Sequence, residues 1–290
     1  MTPAGRTWKA ELGLAAVCLA WGSTFVLVKN ALADVSTVLF LALRFSAAAV
    51  LLGGLYAARG GRLTRKGLWP GVLAGALLYS GYLFQTVGLR WTTPATSGFI
   101  TGLYIVLVPL FAAAVYSRMP GASEWTGVIL AGTGMALMTL RTSELAIGTG
   151  ELLTMACAVA FAAHMIALSH YSRKMNTDLL TLLQIGTSAA IALGTFWWVE
   201  EVQLRWTTAL VTALAVTSVL ATAFAFWIQT WAQARTSATR AAVIFSLEPV
   251  FAWLTSWLVE GETLTGRAMA GAACILAGIL VVELKPFRAR

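Results

Sequence analysis

Ten apolar runs follow one another along this chain with short polar joints between them, at about residues 10–30, 37–58, 68–89, 95–117, 124–140, 150–170, 179–199, 207–231, 240–259 and 265–284. A helix of about 20 residues is long enough to cross the hydrocarbon core of a bilayer. Backbone groups facing lipid must be satisfied within a helix or a closed barrel. A barrel would alternate apolar and polar residues over strands of about ten, and these runs do not alternate. The runs therefore predict an all-α polytopic membrane protein of ten transmembrane helices. Composition agrees, since only 11% of the 290 residues are charged against about 25% in soluble domains.

The net charge of +8 invites a nucleic-acid reading, but the positions of the basic residues argue against one. Fourteen of the 20 Lys and Arg fall in one alternate set of loops and termini, five fall in the other, and Arg44 lies inside a run. That asymmetry predicts both termini in the cytoplasm. Trp8, Trp69, Trp91, Trp125, Trp197, Trp198 and Trp206 sit near run ends, where interfacial anchors belong. Cys18, Cys157 and Cys274 all lie within apolar runs, which suits small core residues better than a disulfide framework. The basic, then apolar, N-terminus lacks a convincing small-x-small cleavage site and reads as a retained first helix.

The chain also matches itself. A shift of 140 carries Trp21-Gly-Ser-Thr24 onto Phe161-Ala-Ala-His164, Thr37 onto Thr177, Arg44 onto Gln184, and Pro109 onto Pro249. A shift of 144 carries Gln85-Thr86 onto Gln229-Thr230, and Gly127 and Gly134 onto Gly271 and Gly278. The repeat divides the chain into residues 1–143 and 144–290. Five helices is an odd number, so the second half should enter the membrane upside down. Inverted repeats of this kind place the substrate site of secondary transporters at the repeat interface, near the midplane.

EPVFAWLTSWLVEGETLTGRAMAGAACILAGILVV, near the C-terminus, resembles the closing motif of EamA-type members of the drug/metabolite transporter superfamily. LAWGSTFVLVKNAL, followed by LALRFSAAAVLL, is similar to that family's opening motif. The resemblance covers essentially the whole chain, and among branches it is most similar to the YddG-type amino-acid exporters. It implies a basket of ten helices around a central cavity, with helices 5 and 10 set to one side and packed together. It also implies a structural or gating role for Arg44, since arginine is common at that motif position.

Glu248 is the leading candidate site residue. A carboxylate at the centre of an apolar run costs roughly 2.5–3.5 kcal/mol on insertion scales. It would bind a substrate ammonium or carry a proton; the structural alternative is a hydrogen bond to a neighbouring helix. His164, matched with Thr24, should face the cavity and is a second proton-coupling candidate. Tyr79, Tyr82 and Thr86 share one helical face, as do Ser97, Thr101 and Tyr104. These hydroxyls, with Trp21 and Trp227, would either wall a cavity suited to stacking and cation–π contact or bond between helices. Pro109 and Pro249, at matched positions, are candidate hinges or fixed kinks.

These features predict a transporter that exports small metabolites by alternating access, with amino acids, aromatic or apolar ones favoured, as substrate. A multidrug or organic-cation exporter would use the same glutamate and aromatics. A membrane-embedded enzyme or receptor would have no need of duplicated halves. The chain carries no GxxxxGK[ST] phosphate loop and no zinc-spaced Cys/His set, so neither cofactor nor metal is expected. The expected partners are the bilayer and a small-molecule substrate, with the protein working as a monomer.

Overall fold

The computed structural model describes residues 7–63, 65–92, 94–117, 119–139, 148–248, 250–251, 254 and 265–283. Its helices are α1 (Thr7–Gly22), α2 (Thr24–Ala31), α3 (Thr37–Ala58), α4 (Arg65–Gly88), α5 (Pro94–Gly102), α6 (Tyr104–Tyr116), α7 (Ala122–Thr139), α8 (Thr149–Tyr171), α9 (Thr177–Val199), α10 (Thr208–Ser218), α11 (Ala225–Gln233), α12 (Ala238–Phe245) and α13 (Gly266–Glu283). A π-helical stretch, Val219–Phe224, joins α10 to α11.

Among the described residues seven helical stretches are long and apolar enough to cross a bilayer: Trp8–Ala31, Thr37–Ala58, Gly67–Gly88, Ser97–Tyr116, Thr149–Tyr171, Thr177–Val199 and Thr208–Gln233. The runs expected at 124–140 and 265–284 are α7 and α13. The run expected at 240–259 is described as α12 and the residues up to Glu248; Pro249 and Trp253 lie outside the described residues. Trp8, Trp69, Trp91, Trp197, Trp198 and Trp206 are all exposed, as side chains anchored at a lipid–water boundary should be.

Element boundaries repeat along the chain. Helices α3 and α9 begin at Thr37 and Thr177, an offset of 140, whereas α7 and α13 both begin and end at an offset of 144. The packing partners interchange in the same way. Helix α3 lies on α9 and α7 on α13, while the contacts of α4 and α6 with α8 are matched by those of α11 and α12 with α1. Glycine lets α7 and α13 approach closely: a Cβ on Gly134 would stand 2.4 Å from Gly271 O, and one on Gly278 would stand 2.8 Å from Gly127 O.

Two spans are interrupted, at Ser23 between α1 and α2 and at Leu103 between α5 and α6. At the second break Leu103 N donates to Ile100 O at 3.1 Å; beyond α12, Ser246 N and Leu247 N donate three residues back in the same manner. This tightening is the 3₁₀ form that commonly ends an α-helix. Pro109 sits inside α6, past the break rather than at it.

Candidate functional site

A cavity of about 70 Å³ lies within the bundle, bounded by the two interrupted spans and by α3, α4, α8, α11 and α12. Glu248 on its wall is eleven residues beyond Ser237, the N-cap of α12, or roughly 16 Å along a helix. Most of the lining falls into repeat-related pairs. Trp21, Thr24 and Phe25 correspond to Phe161, His164 and Met165 at the offset of 140, and Tyr82 and Gln85 to Phe226 and Gln229 at the offset of 144. Val28, Arg44, Thr86, Leu89, Thr101, Tyr104, Phe245 and Glu248 line it without a partner of this kind.

Seven of the nine predicted site residues meet here: Glu248, Tyr82, Thr101, Tyr104, His164, Trp21 and Thr24. Tyr79 and Trp227 do not line this cavity. Three residues along a helix is sixty degrees short of a full turn, so Tyr79 turns from Tyr82 toward α9, where its hydroxyl lies 3.2 Å from Thr195 Oγ1. Trp227 points to the end of the bundle near α9's first turn, where its indole donates to Asp178 Oδ1 at 2.8 Å and Arg59 lies over its ring.

Arg44 is 3% exposed. Its Nε donates to Thr222 Oγ1 at 2.7 Å, and its Nη2 donates to Tyr82 Oη at 3.1 Å and to Ala221 O at 3.3 Å. The guanidinium carbon lies 4.5 Å from the centroid of the Tyr82 ring, a cation–π geometry. Trp21 Nε1 donates to the same Ala221 carbonyl at 2.9 Å. The π-helical turn widens the backbone where that carbonyl takes two outside donors, a frequent arrangement at functional sites.

His164 Nε2 lies 2.8 Å from Gln184 Oε1, Gln184 Nε2 donates to Thr230 Oγ1 at 3.0 Å, and Thr230 Oγ1 donates to Phe226 O at 2.7 Å. The direction of this chain fixes the tautomer. Thr230 spends its proton on the backbone, so it accepts from the Gln184 amide. The Gln184 carbonyl then faces His164, whose proton must sit on Nε2.

The remaining walls are aromatic. Trp21 lies 5.4 Å from Phe226 and 5.1 Å from Phe245, and Tyr82 lies 5.3 Å from Phe161, all between ring centroids. Gln85 Nε2 donates to Thr101 Oγ1 at 3.1 Å. Among the described residues no hydrogen bond or ion pair engages the carboxylate of Glu248. The site thus offers one carboxylate, one guanidinium and a set of flat apolar faces, an arrangement suited to binding. Phe25, Phe161, Met165, Phe226, Phe245, Gln85 and Gln229 were not among the predicted residues; the repeated glutamines inside apolar helices were the available signal.

The two ends of the bundle differ. At the end opposite the N-terminus, Lys29 Nζ donates to the carbonyls of Leu89 and Thr92, and Arg90 donates to Val35 O. Glu200 accepts from Val38 N at 3.0 Å and Leu39 N at 2.8 Å, and Asp34 accepts from Thr207 Oγ1 at 2.6 Å. At the N-terminal end, ties among the described residues include the Arg59–Asp178 pair at 3.3 Å, the Arg240–Glu11 pair at 3.5 Å and the bond from Arg173 to Thr236 O.

The model of the EamA-like transporter family matches residues 8–140 and again residues 148–284. An uncharacterized transporter of Archaeoglobus fulgidus is 36% identical over 276 residues, covering 95% of this chain and 86% of that protein. The uncharacterized transporter YvbV of Bacillus subtilis is 25% identical over 281 residues, covering 96% of this chain and 92% of that protein. A crystal structure with a TM-score of 0.81 and 20% identity, covering 96% of this chain and 97% of its own, has the same fold.

Proposed function

The chain belongs to the EamA-like transporter family, and from that premise we propose a secondary transporter that exports amino acids by alternating access. Two inverted five-helix halves, 1–143 and 144–290, rock about the shared cavity from a bacterial inner membrane, with both termini in the cytoplasm. Aromatic and apolar amino acids are the favoured cargo. Glu248 receives the substrate ammonium. Tyr82, Thr101, Tyr104, His164, Trp21 and Thr24 surround the rest, and Glu248 or His164 carries any coupled proton.

The observation that carries this reading is the correspondence of wall residues between the two halves around a carboxylate inside the bundle. A site shared by both halves changes shape when they move relative to each other, which alternating access requires. An organic-cation exporter is the second reading, favoured by the same carboxylate standing in an aromatic box. Arg44 in the same cavity argues against it, because a second cation would be repelled.

The test is transport in proteoliposomes with a panel of labelled amino acids and aromatic cations, run with and without a pH gradient. Uptake of amino acids that falls at least tenfold in Glu248→Gln, with the variant still monodisperse, is the expected result. Transport of cations alone would select the second reading. Unaltered amino-acid flux in the variant would remove Glu248 from the site.

A further inference from the structure

Arg44 and Glu248, a base and an acid, line one cavity and form no ion pair with each other. Charges buried from water normally find each other or another counter-ion. Glu248 has no described partner, and Arg44 has only neutral acceptors. Those acceptors occupy Nε and Nη2. Nη1 donates its two N–H bonds to no described residue, yet it is not sealed off by protein. A residue 97% buried on the wall of the cavity therefore keeps one end of its guanidinium unengaged.

Packing does not require that charge. Gln184 holds the equivalent place on α9 and is fully buried there, with both ends of its amide bonded to His164 and Thr230. A neutral side chain meets the structural demand in one half, while the other half carries a guanidinium with donors to spare. The guanidinium is also held rigid by Thr222 Oγ1, Ala221 O and the Tyr82 ring. A fixed fork of donors suits a carboxylate better than a mobile ammonium would.

We propose that Arg44 is the carboxylate-binding, specificity-determining residue of this cavity, acting with Glu248 so that the site selects small zwitterions over amines and over acids. The proposal deepens the amino-acid reading and rests on it. Nη1 takes the substrate carboxylate, Glu248 takes the ammonium, and the aromatic walls take the side chain.

The experiment compares each transported amino acid with the amine lacking its carboxylate and the acid lacking its ammonium. Tryptophan, tryptamine and indole-3-propionate form one such set. Binding to the purified full chain is measured by calorimetry, and transport by counterflow in proteoliposomes. The unaltered protein should prefer the zwitterion by about ten- to hundredfold, the scale of a charge-assisted hydrogen bond. Arg44→Gln should abolish the preference for tryptophan over tryptamine, lowering tryptophan binding and raising that of tryptamine, which no longer meets a second cation, and Arg44→Lys should restore part of the preference.

Equal binding of zwitterion and amine by the unaltered protein overturns the proposal without need of any variant. So does a monodisperse Arg44→Gln protein that keeps the preference. Both outcomes leave amino-acid export standing if amino acids are still transported. Failure to transport any amino acid would instead remove the reading on which the proposal rests.

Discussion

His164 Nε2 and Gln184 Oε1 lie 2.8 Å apart and both side chains are buried. Leucine at position 164 would keep the bulk and leave the Gln184 carbonyl without its donor. An unsatisfied buried acceptor costs about 1–3 kcal/mol. His164→Leu should therefore lower the thermal unfolding midpoint in detergent by several degrees. The double variant with Gln184→Leu should recover part of the loss. A single variant as stable as the parent would show that the bond contributes nothing.

Glycine is needed at some helical positions and not at others. Alanine at Gly134 would press its Cβ to 2.4 Å from Gly271 O, whereas a Cβ at Gly54 meets nothing within 4 Å. Gly134→Ala should destabilise by about 1–3 kcal/mol through overpacking. Gly54→Ala should be neutral or stabilising by up to about 1 kcal/mol, because alanine is the better helix former. Thermal midpoints of the two variants, shifting in opposite directions, would check the close approach of α7 and α13.

Glu200 caps α3 from the far side of the chain fold, accepting from Val38 N and Leu39 N. Loss of a helix cap costs about 0.5–2 kcal/mol. Glu200→Ala should lose that much, with faster amide exchange confined to the first turn of α3. Uniform exchange changes, or none, would contradict the capping role.

Lys29 ties the end of α2 to the carbonyls of Leu89 and Thr92, beside the cavity wall at Leu89 and Thr86. Lys29→Met should loosen this closure. In a background lacking Cys18, Cys157 and Cys274, a cysteine at Thr86 should react with an impermeant maleimide roughly tenfold faster in the Lys29→Met protein, the scale of one charge-assisted hydrogen bond. Equal rates would mean that Lys29 holds nothing shut.

Much of this architecture was legible in the sequence because lipid restricts the backbone to few solutions. Repeat offsets read from letters alone reappear as helix boundaries, with Thr37 and Thr177 opening α3 and α9. Seven of nine expected cavity residues followed from the rule that polar groups in apolar helices turn inward. The misses have a common physical cause. Tyr79 was assigned by helical spacing and Trp227 by its place away from the ends of its apolar run, but Thr195 and Asp178, from a distant part of the chain, decide where they point. The π-helical turn at Val219–Phe224 carries no glycine or proline to mark it. It is recognisable only once Trp21 and Arg44 are seen converging on Ala221 O.

The cavity, at about 70 Å³, falls far short of the roughly 300–1,000 Å³ of an ordinary small-molecule site. Cargo cannot simply drop into this shape; the walls must be prised apart as it enters, and bulk is resisted by the work of parting close-fitted rings. Discrimination by size then behaves as an elastic threshold more than as a mould. A smaller residue at Phe226 or Phe245 should widen the range of cargo accepted before it alters which charged groups are recognised.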